Sequence, residues 1–160
     1  MVVLFSKERI TALYGDEESY GQYCETVDFD RVIPDGIYNL GTQDGMYLSY
    51  HTNEDGSTSL LLSENPEECM AEIVYRLGKY HIRFTETYRC LYSELDGGRW
   101  NLTALDSICS EKEEWLLIPD GSGFRIINGY EYALAHYDDG TITLVDPLTA
   151  DESSIVWFIQ

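Results

Sequence analysis

At 160 residues and 44% hydrophobic side chains, the chain has the length and composition of one folded domain. Its 29 acidic residues against 10 basic ones give a net charge of −19. Phosphate backbones and anionic membrane surfaces are bound through Lys and Arg, so this balance excludes nucleic acid and membrane as direct partners. It leaves two readings: a well-solvated, self-repelling surface, or attraction to a basic protein partner.

The first five residues, Met1 to Phe5, are too short for the apolar core of a signal peptide, and Lys7-Glu8-Arg9 follows at once. No apolar run approaches membrane-spanning length. The expected location is cytoplasmic, with unconventional export left open. Ser6 to Tyr14 predicts a short helix with Ser6 as N-cap, Ile10, Leu13 and Tyr14 as its apolar face, and Gly15 as its stop. Residues 1–32, with the acidic run Asp16-Glu17-Glu18, read as an N-terminal extension. Cys24, Cys69, Cys90 and Cys109 have neither CxxC nor metal-ligand spacing and are expected to be free thiols.

From residue 33 the pattern becomes strand, turn, strand. Ile-Pro-Asp-Gly is written twice, at 33–36 and at 118–121. Leu48, Leu91 and Leu134 follow one another at a constant spacing of 43. An Asp-Gly pair, suited to positive φ and tight hairpins, follows each: Asp55-Gly56, Asp96-Gly97 and Asp139-Gly140. A third register joins Leu62 to Tyr75, Leu102 to Trp115 and Leu144 to Trp157, each 13 apart. A fourth opens each unit with an aromatic-x-aliphatic triplet: Tyr38-Asn39-Leu40, Tyr80-His81-Ile82 and Phe124-Arg125-Ile126.

These registers predict three units, about 33–75, 76–118 and 119–160, of four strands each. No unit can bury its apolar face alone, whereas three together close one core. The recurring Leu, Tyr and Trp positions are then core layers. With Gly36-Ile37-Tyr38-Asn39-Leu40, Tyr47-Leu48, Trp115-Leu116-Leu117, Thr141-Ile142-Thr143-Leu144 and Trp157-Phe158-Ile159, residues 33–160 resemble a β-trefoil. The resemblance is greatest to the signal-free fungal trefoils: inhibitors of the mycocypin and serine-protease-inhibitor type, and related lectins. The expected fold class is therefore all-β, a β-trefoil with a short N-terminal extension. Ricin-type lectins fit less well, because Ile73, Glu113 and Ile155 stand where their recurring Gln would be. The disulfide framework of plant Kunitz-type inhibitors has no counterpart either.

No phosphate loop, nucleophile elbow or HExxH is present. His51, His81 and His136 fall at unrelated places in the three units, and nothing selects a carboxylate pair or a metal site. No cofactor is expected, and the chain reads as a binding protein rather than an enzyme. Function then lies on loops, which a rigid scaffold leaves free to vary.

The spacing from Leu48 to Leu62 exceeds its counterparts, which places an insertion at His51–Thr58 and makes Asn53, Glu54 and Asp55 candidate contact residues. Other projecting segments supply Asn65 and Glu67, and Tyr88 and Arg89, the last as the natural P1 residue for a trypsin-like protease. In the mycocypin-like relatives, loops matching Thr42–Gly45 and Glu64–Glu67 would block a cysteine-protease cleft. The main expectation is a protease inhibitor acting through such loops. One alternative is a lectin stacking sugar on Tyr92 or Tyr137, with Tyr50 and Tyr130 as further candidates. The other is an acidic module docking on a basic protein.

Overall fold

The structure is a computed structural model, and it describes residues 31–106 and 110–160. The chain divides into Met1–Pro34 and Asp35–Gln160. The second unit carries every strand described below, while the helix expected over 6–14, Cys24 and Cys109 lie outside the described residues.

Thirteen strand segments follow in order among the described residues. They are β1 (Gly36–Tyr38), β2 (Leu40–Gly41), β3 (Tyr47–Thr52), β4 (Thr58–Ser63), β5 (Ala71–Arg76), β6 (Lys79–Phe84), β7 (Cys90–Asp96), β8 (Arg99–Leu105), β9 (Leu116–Asp120), β10 (Gly123–Ile127), β11 (Ala133–His136), β12 (Ile142–Val145) and β13 (Phe158–Ile159). Only Asn39 separates β1 from β2, so together they serve as one strand and the count agrees with three units of four.

The pairings close a circle. β1 pairs with β5, β5 with β6, β9 with β10, and β13 with β2. The bridges Tyr80↔Trp115 and Phe124↔Trp157 join β6 to the run before β9 and β10 to the run before β13. Six strands thus form a barrel without a free edge. The other six form the hairpins β3–β4, β7–β8 and β11–β12, whose second strands meet one another. At that junction the Thr103 hydroxyl donates to the Thr58 carbonyl at 2.7 Å, and the Ala104 amide donates to the Thr58 hydroxyl at 3.1 Å.

Leu48, Leu91 and Leu134 are fully buried, as their constant spacing requires. Trp115 and Trp157 are also fully buried, and each indole N–H donates to the carbonyl of its unit's leucine: Trp115 to Leu91 at 3.0 Å and Trp157 to Leu134 at 2.9 Å. The third register needs correction. Tyr80 faces Trp115 and Phe124 faces Trp157, while Tyr38, their equivalent in the first unit, faces Ala71. Ala71, not Tyr75, is therefore the first unit's counterpart of the two tryptophans, and Tyr75 is only half-buried. In the second unit Leu91 pairs with Ala104 rather than Leu102. Both errors are even-numbered slips, which keep the side chain on the same face of a strand.

The two Ile-Pro-Asp-Gly copies are not superposed either. Gly36 opens β1, whereas Asp120 ends β9 and Gly121, at φ +61°, turns the chain into β10. The hairpin between the first and second units turns at Leu77-Gly78, with φ of +50° and +86°.

Candidate functional site

The second hairpin carries more than the repeat arithmetic suggested. With Ala104 as the partner of Leu91, β7 and β8 are seven residues each, longer than the four of β11 and β12. The extra length lifts Leu95 and Trp100, cross-strand partners, above the barrel behind a Gly97-Gly98 turn. The presumed insertion at 51–58 is likewise absorbed as ladder, with Thr52 opposite Thr58 and a short turn beyond.

The loop between β10 and β11 leans on this hairpin. Asn128 is buried, and its side-chain oxygen accepts the amides of Tyr130 at 3.1 Å and Tyr132 at 3.0 Å. Its amide nitrogen donates to the Ser93 hydroxyl at 3.3 Å, tying the third unit to the second. One side chain therefore fixes the turn and aims two tyrosines at Trp100. Ring centroids lie 5.6 Å apart for Trp100–Tyr130 and 5.1 Å for Trp100–Tyr132, both steeply inclined. Tyr130 is 62% exposed and Tyr132 37%, with Leu95 exposed nearby.

Beside Tyr130 lies a depression of about 390 Å3 lined by Lys79, Ser93, Glu111, Lys112, Glu114, Leu116, Gly129 and Tyr130. Its Lys112 is held by Glu94, which lies behind the lining. Glu94 accepts the Tyr92 hydroxyl at 2.8 Å and pairs with the Lys112 ammonium. Hydrogen bonds from Lys112, then from Tyr92, hold its carboxyl below the ordinary carboxylate range. Burial first, then the bond to Glu94, pushes the Tyr92 phenol up, and Glu94 pushes the Lys112 ammonium up. An exposed aromatic platform next to fixed donors and acceptors is an arrangement for binding.

The residues expected from sequence are dispersed. Asn53, Glu54 and Asp55 form the β3–β4 turn, where Asp55 accepts the Ser57 amide at 2.9 Å and also its hydroxyl; these bonds lower the Asp55 carboxyl. The β11–β12 turn repeats this chemistry with Asp139 and Thr141. Asn65 caps the short 3-10 turn Pro66–Glu68 by accepting the Glu67 amide, and the Glu67 side chain is exposed. Tyr88 is 65% exposed and stacks against Arg83. Arg89 does not project: its guanidinium donates to the Gly56 carbonyl at 3.2 Å and lies 3.7 Å from Asp106.

Tyr92 is buried and offers no ring face to a ligand. Tyr137 is exposed on another hairpin, beside a separate hollow with Gln43, Asp44 and Asp138. Of the aromatics named from sequence, only Tyr130 joins the platform. Trp100 and Tyr132 were missed, and the slip at Leu102 explains why, since it hid the length of the second hairpin.

No family model matches the chain, and no curated protein matches it. Solved structures do match. A Culex quinquefasciatus salivary protein of the Cysteine and Tryptophan-Rich family superposes with a TM-score of 0.69 at 14% identity, covering 79% of this chain and 94% of that one. A Polyporus squamosus lectin bound to the human-type influenza-binding epitope Neu5Acα2-6Galβ1-4GlcNAc gives 0.63 at 17% identity and covers 81% of this chain, which spans half the length of that lectin. The BEL β-trefoil gives 0.64 at 15% identity, covering 84% of this chain and 99% of that one. A closed six-stranded barrel, three hairpins meeting one another and these superpositions lead to one architecture: the chain is a β-trefoil.

Proposed function

We propose that this trefoil is a carbohydrate-binding protein and not an enzyme, and that its site is the platform of Trp100, Tyr130 and Tyr132 with the adjoining Glu94–Lys112 depression. The observation that carries the reading is the aromatic trio of half-buried Trp100 with exposed Tyr130 and Tyr132, the two tyrosines held in place by one buried asparagine. The apolar C–H face of a sugar ring packs on such rings, while hydroxyls reach Ser93, Lys112 and the glutamates. A lectin among the superposed structures adds support at the level of fold.

The protease-inhibitor reading is weaker, because its P1 candidate, Arg89, is engaged by Gly56 and Asp106. The acidic-module reading draws on net charge alone.

A glycan array is the direct test, followed by titration of the best glycan against Trp100→Ala. Trp100 is half-buried at the platform's centre, so its loss is expected to weaken binding about thirtyfold or more, as for a binding hot spot. An array without signal, or a Trp100→Ala protein that is folded and binds undiminished, sinks the assignment. Stoichiometric inhibition across a panel of trypsin-, subtilisin- and papain-type proteases would put the inhibitor reading in its place.

A further inference from the structure

The outward face of the β5–β6 ribbon runs against the charge of the molecule. The two strands alternate strictly, with Ala71, Ile73, Tyr80, Ile82 and Phe84 turned inward. Their outward residues pair across the ladder as Glu72 with Arg83, Val74 with His81 and Arg76 with Lys79. Two of the chain's seven arginines, one of its three lysines and one of its three histidines thus share one small face of a protein with net charge −19. Arg83 pairs with Glu72 at 2.7 Å. Among the described residues, Arg76, Lys79 and His81 have no side-chain ion-pair or hydrogen-bond partner. On a chain this rich in carboxylates, cations left without a partner mark a place kept for an anion from outside.

A second feature lies against the first. Tyr88 stands over this face at φ +61°, a conformation that bulky side chains rarely adopt. It is held there by its amide bond to the Phe84 carbonyl at 2.8 Å and by the Phe84 amide bond to the Arg89 carbonyl at 2.9 Å. The Arg83 guanidinium sits 5.2 Å from the centre of its ring. The result is a depression of about 120 Å3 lined by Glu72, Val74, Arg76, His81, Arg83 and Tyr88, with Cys90 at its base.

We propose that this depression binds a small ring ligand bearing one carboxylate or sulfate, of the chemical class of an acidic sugar. The anion would be taken by Arg76, His81 and the outer edge of Arg83, and the ring would lie against Tyr88 and Val74. Size and charge select this class over a macromolecule. An acidic protein or polyanion would bring its whole surface against net −19, whereas the charge of a small ligand is screened from the rest of the chain within about 8 Å at physiological salt. The site uses neither the aromatic platform nor Glu94 and Lys112, so it stands or falls apart from the glycan reading. Lys79, paired with Arg76 across the ladder, lines the depression beside Tyr130 and marks where the two faces meet.

The test is titration of the 15N-labelled protein with the methyl glycosides of N-acetylneuraminic acid and glucuronic acid, with galactose 6-sulfate, and with methyl galactoside as the neutral control. Expected are saturable shifts of the β5–β6 amides with an acidic probe only, weakened by added salt. The carboxylate and sulfate arms decide which anion is preferred. Arg76→Gln and His81→Gln remove side chains that hold nothing in the fold, and each should weaken the best probe about tenfold. Trp100→Ala should leave that affinity within about twofold. Equal shifts from the neutral control, no shifts from any acidic probe, or unaltered affinity in a folded Arg76→Gln protein would overturn the proposal. So would binding of an acidic protein or heparin at this face without binding of the small probes.

Discussion

Leu77 occupies the first central position of the hairpin between the first two units at φ +50°, fully exposed. A two-residue turn with both central φ values positive suits Asn-Gly or Asp-Gly, and an ordinary L-residue there costs about 1–2 kcal/mol. The chain uses Asp-Gly pairs at other turns, so this leucine is a local exception to its own habit. Leu77→Asn is expected to stabilise the protein by about 1 kcal/mol, read as a higher midpoint in urea with an unchanged slope. A lower midpoint would mean that the leucine packs on something in the folded state. Individual residues of this kind were legible only in part. Asp-Gly announced turns correctly, but nothing in Arg-Leu-Gly-Lys announces a left-handed leucine, because the strands on either side impose it.

At the scale of elements, Tyr92, Glu94 and Lys112 fasten β7 to the turn before Trp115. Their titration sets a window. The Glu94 carboxyl is held low in the fold, so its contribution is present above about pH 4.3, its unfolded value, and is lost as pH falls through the folded one. Tyr92 and Lys112 are pushed up, so their contribution is complete below their unfolded values of about 10 and is lost as pH rises through the folded ones. Denaturant stability should therefore be level, as far as this trio is concerned, between about pH 5 and 9, and fall on either side. In Glu94→Gln both limbs should flatten. Parallel stability–pH curves for the variant and the parent would show that the trio adds nothing.

Element register was where sequence reasoning slipped. Alternation has a period of two, so Leu102 and Ala104 point to the same side, as do Tyr75 and Ala71. Only the pairing partner tells them apart, and the partner is distant in sequence. That slip concealed the long second hairpin and with it Trp100. Tyr132 was hidden for another reason: it becomes part of a platform only through Asn128, whose role depends on a turn geometry that one sequence does not disclose.

For the molecule as a whole, the threefold repeat was the legible part. Three leucines at a constant spacing, three opening aromatics and three Asp-Gly pairs were enough to specify the barrel and its hairpins, because repetition is a property of the chain itself. Placing a site was not, since the aromatic platform lies between the second and third units and the basic face on the ribbon joining the first and second. Both arise where the symmetry is broken, and symmetry arguments are blind there.

The circle of strands has one seam made of residues from opposite ends of the domain. The Asn39 amide donates to the Gln160 carbonyl at 2.8 Å, the Gln160 amide returns a bond at 3.1 Å, and β13 lies against β2. Hairpins such as β5–β6 are local and form early, whereas this seam must wait for the largest loop in the domain to close. It is then absent at the folding barrier and present only beyond it. Ile159→Ala is accordingly expected to speed unfolding by the whole of its stability loss and to leave the refolding rate nearly unchanged in stopped-flow denaturant jumps. Slower refolding in proportion to that loss would place the seam in the folding nucleus. On the expected behaviour, the protein's lifetime in the folded state is governed at this seam, and its speed of folding is governed elsewhere.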